Sequence, residues 1–372
     1  MAFLASILLV ILAAEPSSGT PGRKPYSPVE FRELLQGFGA YSADPCSPPY
    51  GKEEDRHTFK DESSLFERAA EIVTQGLNTT SAELGSPRDR ATLKMKQLEM
   101  TSAEVNAAWP EESRFHFTTL DLSPALVVKM TFRTRGRFFV FGQTANDSRE
   151  SSQSWKRVGE DDVSFEHQVP RLDLDIYPLR RGPSGNPRFL SKFIVSGCSG
   201  SVGVVYEASE WNPKDSTDIG QIIKQEGAFG LDGKVPGFEQ IGELRTEGSL
   251  ITLPYCWFSG IDTWDNPSMC AVDTYDLSGD KVRFRSRDYN RPDLLPIAKI
   301  IEYARQRDYS AVLGYCASSK IARRLVRDFP PLYFGESIRM TPTGKERERI
   351  ELGSDHFDVE NHGGRWVVVD FR

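Results

Sequence analysis

The sequence contains few of the side chains that usually mark a catalytic or metal centre. Its 372 residues include five histidines and five cysteines, and no two cysteines have the C-x-x-C spacing of a zinc site. It also lacks long blocks of like charge, and its net charge of -7 at pH 7 argues against a dominant surface for nucleic acid or anionic membranes. We therefore predict no nucleic-acid partner and no cofactor.

No apolar run is long enough to cross a bilayer, which takes about 20 residues. The longest, from Phe3 to Ala14, has the length of a signal-peptide core and is followed by small residues, although no Lys or Arg precedes it. We predict a signal peptide over residues 1–19, cleaved after Ala14 or Gly19. The protein is then secreted or periplasmic with no integral membrane span, and an uncleaved anchor is the alternative.

The odd number of cysteines leaves at least one without a partner in the chain if the compartment is oxidising. Cys256 and Cys270 are close in sequence and flank the turn-rich stretch SGIDTWDNPS. Because they flank one loop, we predict a disulfide between these two.

Composition and periodicity divide the chain into the segments of an α+β protein. A stretch rich in Pro, Gly, Ser and charge predicts a flexible lead-in over residues 20–62, and helical periodicity predicts a helical N-terminal segment over residues 63–110. A period of two over residues 111–288 predicts a β-rich antiparallel middle domain, built as a sandwich, a barrel or an open sheet. Helices followed by an antiparallel meander predict an α+β domain over residues 289–372.

Shorter patterns predict individual elements. Ser86 before Pro87 predicts a helix start, because serine caps a helix and proline fits its first turn. A short further helix is predicted over Ala103–Trp109. In the β-rich segment, alternating residues predict a hairpin with one wetter face, whose turn is formed by Thr134–Arg137.

The order of patterns in the last segment is similar to that of a known fold. A helix, the stretch RQRDYSAVLGYC, a short helix and a curled meander resemble the NTF2-like cone fold over roughly the last 80 residues. That family includes enzymes, ligand binders and association modules. The resemblance therefore implies a fold but no particular function and no site residue.

A glycine-rich stretch, SGCSGSVGVVYE, suggests a nucleophile without matching a known motif. Cys198 and Ser199 lie among glycines, but the G-x-S-x-G elbow requires glycine where Ser201 stands. We predict a turn between two strands. A nucleophile that acts with a distant histidine is the alternative.

Two further stretches are candidates for a binding surface. In KVRFRSR, residues 281–287, the alternating cations would share one strand face, which predicts an edge strand protected by charge or, alternatively, an anion site. The aromatic stretch YCWFSGIDTWDNP contains Trp257 and Trp264. These side chains are predicted either to pack in the core or to bind a sugar or a peptide.

The C-terminal stretch HFDVENHGGRWVVVDFR alternates polar and apolar residues. We predict a hairpin with a three-residue loop at 362–364, which sets His356 opposite Asp370 on a polar face, with Asp358 and Glu360 beside them. A two-residue Gly-Gly loop, which would shift the pairing by one and set the acids among valines, is the alternative. Histidines and carboxylates are metal ligands, but alternate residues of a strand project in parallel and do not converge. We predict a wetted or ligand-lining face with no metal.

The sequence contains no local catalytic pattern, which favours a non-catalytic exported protein that binds a ligand, a glycan or a protein partner. An exported hydrolase whose site is assembled from distant residues is the alternative, so the sequence leaves open whether the protein is an enzyme. The candidate ligand-binding residues are Trp257, Trp264, His356, Asp358, Glu360 and Asp370.

Overall fold

The structure, a computed structural model, contains helices and four antiparallel sheets of four strands each, in agreement with the predicted α+β class. It describes residues 28–37, 53–80, 83, 85–108, 111, 114–132, 135–144, 154–161, 171–196, 202–214, 218–229, 244–257, 259–262, 269–328 and 338–372. The predicted signal peptide, Cys46, Cys198, Ser199 and Trp264 lie outside these residues. Within them, no helix is both long and apolar enough to cross a membrane.

Three helices come first in the described chain: α1 (Pro28–Gly37), α2 (Glu53–Asn78) and α3 (Pro87–Val105). α1 and the first residues of α2 lie within the predicted lead-in, so that prediction is wrong there. Phe31 and Leu35 of α1 are fully buried in the apolar cluster that contains the other two helices. Residues four apart share one face of a helix, and burial of that face holds α1 in place.

α3 begins where the Ser86-Pro87 pattern predicts. Ser86 N donates to Asp89 Oδ2 at 2.9 Å and Asp89 N donates to Ser86 Oγ at 3.2 Å, which is a capping box. The separate helix predicted over Ala103–Trp109 is wrong, because residues 103–105 are the last turn of α3.

Sheet 1 has both faces covered. Met130 and Phe132 belong to the helical cluster, whereas Val127 and Val140 belong to a cluster shared with sheet 2. The predicted wetter face is therefore covered at Val127, where a second sheet packs on it, and is present only at Lys129 and Thr131, which are half-buried. The predicted turn is also displaced, since β3 already begins at Arg135. The strands, in spatial order, are β1 (Phe115–Leu122), β2 (Ala125–Phe132), β3 (Arg135–Thr144) and β4 (Ser154–Asp161).

The side-chain amide of Asn78 joins α2 to sheet 1. Its Nδ2 donates to Trp155 O and its Oδ1 accepts from Trp155 N, each at 2.8 Å. Asn78 begins an Asn-Thr-Thr sequence, which is the acceptor pattern for N-glycosylation. In the fold, the nitrogen that a glycan would modify is used to hold the end of a helix.

Sheet 2 packs between sheets 1 and 3. The rings of Phe138 and Phe189 meet edge to face at 5.5 Å across the first interface, and Tyr206 shares an apolar cluster with residues of sheet 3 across the second. Ser196 pairs with Val202, so the glycine-rich stretch joins two antiparallel strands, as predicted. The strands are β5 (Arg171–Leu179), β6 (Arg188–Ser196), β7 (Val202–Trp211) and β8 (Ile219–Phe229).

Sheet 3 contains the disulfide. Cys256 and Cys270 face each other in register with their Cα atoms 3.9 Å apart, which confirms the predicted pairing. β8 passes so close to β10 that a Cβ at Gly227 would lie 2.5 Å from Cys256 O, so this position requires glycine. The strands are β9 (Arg245–Glu247), β10 (Leu250–Trp257), β11 (Met269–Asp276) and β12 (Arg283–Tyr289), and β12 is an edge strand.

Three helices cover one face of sheet 4. Leu325 packs with Phe357 and Val368 in a single apolar cluster, which Ile261 and Met269 of the predicted middle domain also join. The element order agrees with the sequence pattern, and the NTF2-like resemblance stays a prediction. The elements are α4 (Leu295–Arg305), α5 (Tyr309–Leu313), α6 (Ser319–Asp328), β13 (Ile338–Gly344), β14 (Arg347–Leu352), β15 (Asp355–His362) and β16 (Arg365–Phe371).

Candidate functional site

The C-terminal hairpin has a different loop from the predicted one. His362 pairs with Arg365, so the loop consists of Gly363 and Gly364 alone. Both glycines have positive φ, 66° and 93°, a conformation that other residues adopt only with strain. The three-residue loop is therefore wrong, and the two-residue turn typical of tight hairpins is present.

A bulge then changes the register along the hairpin. Val369 is an extra residue on β16, so that Asp358 pairs with Asp370. His356 exchanges backbone hydrogen bonds with Arg372 and does not face Asp370, contrary to the prediction. The bulge nevertheless keeps the acidic residues of both strands on one face, which separates them from the apolar face under the helices.

Asp358 is the buried centre of this polar face, with 5% of its surface exposed. Arg349 donates from Nε to Oδ1 at 2.9 Å and from Nη2 to Oδ2 at 3.2 Å, and Arg347 Nη2 also donates to Oδ2 at 3.2 Å. The hydrogen bond from Arg349 lowers the pKa of Asp358 against the opposing effect of burial. The carboxylate is thus occupied by two arginines.

The other charged side chains of this face pair locally. Among the described residues, no group of three or more His, Cys, Asp or Glu side chains is placed to hold a metal ion. The carboxylates of this face therefore lie beside separate arginine or histidine side chains and do not converge on one point. The additional pairs are His356 Nδ1 with Glu351 Oε1 at 3.6 Å, His362 Nε2 with Glu360 Oε1 at 3.6 Å, and Arg372 Nε with Asp370 Oδ2 at 2.8 Å.

Sheet 3 gathers aromatic side chains on one face. In the register of its strands, Asp273 lies beside Arg287 and Tyr275 lies beside Phe284. Side chains directly opposite each other in an antiparallel sheet share a face. We call this surface the Arg287 face, and its members are Tyr255, Trp257, Asp273, Tyr275, Phe284, Arg287 and Tyr289.

An ion pair lies at the centre of the Arg287 face. Asp273 is 0% exposed, and Arg287 donates to it from Nε at 2.7 Å and from Nη2 at 2.8 Å. The guanidinium carbon also lies 5.7 Å from the Tyr255 ring centre and 5.8 Å from that of Phe284. The hydrogen bond to Asp273 raises the pKa of Arg287, and burial raises the pKa of Tyr255. The cation is thus fixed between two rings.

Trp257 lies at the end of this face and is half-buried. Its ring is 5.9 Å from that of Tyr255 and 6.0 Å from that of Tyr289. It packs against the cluster between sheets 2 and 3 and also against the C-terminal cluster. Trp257 therefore links two cores while part of its side chain stays accessible.

β12 is the exposed edge strand that the sequence predicts. Every residue from Arg283 to Asp288 is exposed, on both faces of the strand, and Phe284 keeps 53% of its surface accessible. The common face predicted for the cations is wrong. A register shift between β11 and β12 places Phe284 and Arg287 together, so that the arginines are divided between the two faces.

Sequence reasoning missed Arg188, which holds the turn between β11 and β12. Its side chain is fully buried at the start of β6 and ion-pairs with Glu210. Nη1 donates to Leu277 O at 2.7 Å and Nη2 donates to Gly279 O at 3.2 Å. The one local signal is an arginine next to the apolar residues of RFLSKFIVS, which does not identify its partners.

The described residues include a free cysteine and an open strand edge, and the two differ in accessibility. Cys316 is the free cysteine among them, and burial raises its pKa to about 12, which keeps it a thiol at neutral pH. The Arg287 face, in contrast, combines accessible rings, a fixed cation and an open strand edge. Comparison with protein-family models, curated proteins and solved structures finds no match for this chain.

Proposed function

We propose that the protein is a non-catalytic binding protein that takes an extended, acidic segment of a partner protein as an additional strand on β12. The exposure of β12 supports this most directly, since residues Arg283–Asp288 are accessible on both faces. In the part of the chain that the structure describes, no strand pairs with its outer edge. An open edge offers backbone donors and acceptors to which an extended peptide can add.

Neighbouring elements hold β12 in place, which suits a strand that binds a partner. Its neighbour β11 is largely buried and is linked to β10 by the disulfide between Cys256 and Cys270. Arg188 holds the turn that precedes β12 through two carbonyl oxygens. An edge that is already ordered loses little conformational entropy when a partner binds, and this favours affinity.

The side chains of β12 indicate the chemistry of the partner. Phe284 is a large apolar side chain with 53% exposure, which suits an anchor in a partner's apolar pocket. Lys281 and Arg283 are exposed and have no ion-pair partner among the described residues. They favour acidic residues on an added strand. The same cations disfavour pairing of β12 with a second copy of itself, because like charges would face each other.

We place this binding outside the cytoplasm. The Cys256–Cys270 pair is compatible with the oxidising conditions of such a location. Recovery of the native protein from the cytosol with an intact Met1 would contradict export alone, and the binding proposal would still stand on the geometry of β12.

The proposal is tested with a labelled peptide of about ten residues that alternates glutamate and valine, the length of a long strand. Fluorescence anisotropy should show saturable binding that weakens as salt is added, because rim charges are screened. Phe284→Ala should weaken binding about tenfold, since it removes the apolar anchor. Arg283→Glu should weaken it about three- to tenfold through charge repulsion.

Two controls separate strand addition from general attraction. Arg339→Glu reverses an exposed cation on β13, another edge strand, and should leave the affinity unchanged. The same peptide with every backbone nitrogen methylated keeps its charge but loses its donors on both edges, and it should not bind. Equal losses for Arg283→Glu and Arg339→Glu, or equal binding of the methylated peptide, would contradict the proposal.

A further inference from the structure

The exposed side of α6 carries an unusual concentration of positive charge. Its ten residues, SKIARRLVRD, include four cations and one acid, in a chain whose net charge is -7. All four cations are exposed. This helix packs against sheet 4, and the surface contains no residue of β12. We call it the α6 stripe, and its members are Lys320, Arg323, Arg324 and Arg327.

Helix geometry places three of these cations in one line. Lys320, Arg323 and Arg327 are three, four and seven residues apart, which puts them on one face of the helix, and a rise of 1.5 Å per residue spreads them over about 10 Å. Arg324 directly follows Arg323 and therefore lies about 100° around the helix from it. The α6 stripe is thus a band of positive charge in which Lys320, Arg323 and Arg327 follow each other along the helix, with Arg324 at its side.

The stripe does not serve the stability of α6 itself. Lys320 lies in the first turn, where the helix dipole disfavours a cation, and no acidic residue is present there. The cations three and four residues apart repel each other. Within the described residues, Asp328 balances Arg327 through hydrogen bonds of 2.5 and 2.7 Å.

The helix that carries the stripe packs against the C-terminal core. Ala322 and Leu325 on the opposite side of α6 are fully buried. Arg324 donates to Phe371 O at 2.7 Å, and its guanidinium carbon lies 5.4 Å from the centre of the Phe371 ring. Because the helix is anchored on its inner side, the backbone positions of Lys320, Arg323 and Arg327 are set before any ligand binds.

From this geometry we propose that the α6 stripe binds a linear acidic polysaccharide. A chain of repeating anionic groups is complementary in charge to this band, and successive groups can contact Lys320, Arg323 and Arg327 in turn. A membrane surface fits less well, because the apolar side of α6 is buried in the core and its exposed side offers cations for contact. Single-stranded nucleic acid is recognised by stacking on aromatic rings, and the sequence of α6 contains none.

The test uses a heparin octasaccharide as the probe and the full-length chain. Isothermal titration should show binding at about 0.15 M salt that weakens steeply as the salt concentration rises. Lys320→Glu/Arg323→Glu should reduce the affinity about tenfold or more, because two contacts become repulsive. Arg339→Glu/Lys345→Glu makes the same change of net charge on the exposed β13 hairpin and should leave the affinity within about twofold.

The outcomes are distinguishable from each other and from those for β12. Absence of octasaccharide binding to the wild-type chain, or equal losses in the two double variants, would overturn the proposal. Stronger binding to single-stranded polynucleotide or to vesicles of anionic lipid would overturn the assignment to polysaccharide. If Lys320→Glu/Arg323→Glu melts at the wild-type temperature, its loss of affinity does not come from unfolding. Lys320→Gln/Arg323→Gln neutralises the same charges and provides a milder second variant.

Discussion

Sheets 3 and 4 each contain a buried aspartate that is bound at two points by an arginine of the neighbouring strand. Asp273 is 0% exposed and Asp358 is 5% exposed. Arg287 and Arg349 approach them in nearly the same way, with distances from 2.7 to 3.2 Å. The surroundings differ, because tyrosine hydroxyls and rings flank Asp273, whereas a second arginine, Arg347, flanks Asp358.

The same arginine–aspartate contact is therefore expected to contribute differently to the stability of each sheet. Removal of Arg287 leaves the buried carboxylate of Asp273 without a cation, and an unpaired buried charge lowers the free energy of unfolding. Removal of Arg349, in contrast, leaves Arg347 bound to Asp358. We therefore expect the ion pair of sheet 3 to be essential for the fold and the polar face of sheet 4 to tolerate single changes.

The largest effect is expected from Arg287→Met. It leaves the Asp273 carboxylate buried without a cation, so the free energy of unfolding should fall by about 3–5 kcal/mol. Urea unfolding followed by tryptophan fluorescence measures this. Arg287→Lys keeps the charge but not the two-point contact, and it should lie between wild type and Arg287→Met. A smaller loss for Arg287→Met than for Arg349→Met would refute the comparison.

Arg349→Met should have a smaller effect, at most about half as large, because Arg347 Nη2 stays 3.2 Å from Asp358. The double variant Arg347→Met/Arg349→Met should lose more than the sum of the two single variants, since it alone leaves the carboxylate without a cation. The same unfolding experiment applies. Strictly additive losses would mean that the two arginines do not substitute for each other.

Acid should weaken sheet 4 through Asp358. The hydrogen bond from Arg349 lowers the pKa of Asp358, so the unfolded chain binds this proton more readily than the folded chain. The resulting stability is present above the unfolded pKa of about 3.9 and is lost as the pH falls further. Asp358→Asn should flatten that part of the curve of melting temperature against pH. A curve parallel to that of wild type would contradict this origin.

The smallest effect is expected from Tyr255→Phe. The hydroxyl lies 3.4 and 3.5 Å from the two oxygens of Asp273, so its loss should cost about 0.5–1.5 kcal/mol. Burial raises the pKa of Tyr255, so the folded chain holds this proton more tightly, and the stability is lost as the pH rises past about 10. The variant should therefore lose less stability than wild type between neutral and alkaline pH, as measured by urea unfolding.

Features that depend on neighbouring residues could be predicted from the sequence. The helix start at Ser86 follows from a cap and a proline side by side, and the disulfide follows from two cysteines that flank one loop. The alternation in the C-terminal hairpin likewise predicts its two faces. In each case the determining residues lie within a short stretch, so spacing and periodicity are sufficient.

Features that depend on distant contacts could not be predicted. The bulge at Val369 lies within a run of three valines, and nothing in their side chains indicates which of them is the extra residue. The second covered face of sheet 1 depends on sheet 2, which follows later in the chain. Arg188 donates to a carbonyl 89 residues away, and only the complete fold brings them together. The aromatic stretch around Trp257 predicts either a core or a binding role, and its contact with two clusters depends on elements that lie far apart in the chain.

The exposure of β12 also has a consequence for the lifetime of the protein. A trypsin-like protease cleaves after arginine and binds its substrate as an extended chain, and β12 presents Arg283, Arg285 and Arg287 in that conformation. Cleavage requires the strand to separate from β11, so its rate measures the free energy of that local opening. A partner strand on the outer edge would bury the same bonds. Digestion at these arginines would then reveal which molecules are free and which are occupied.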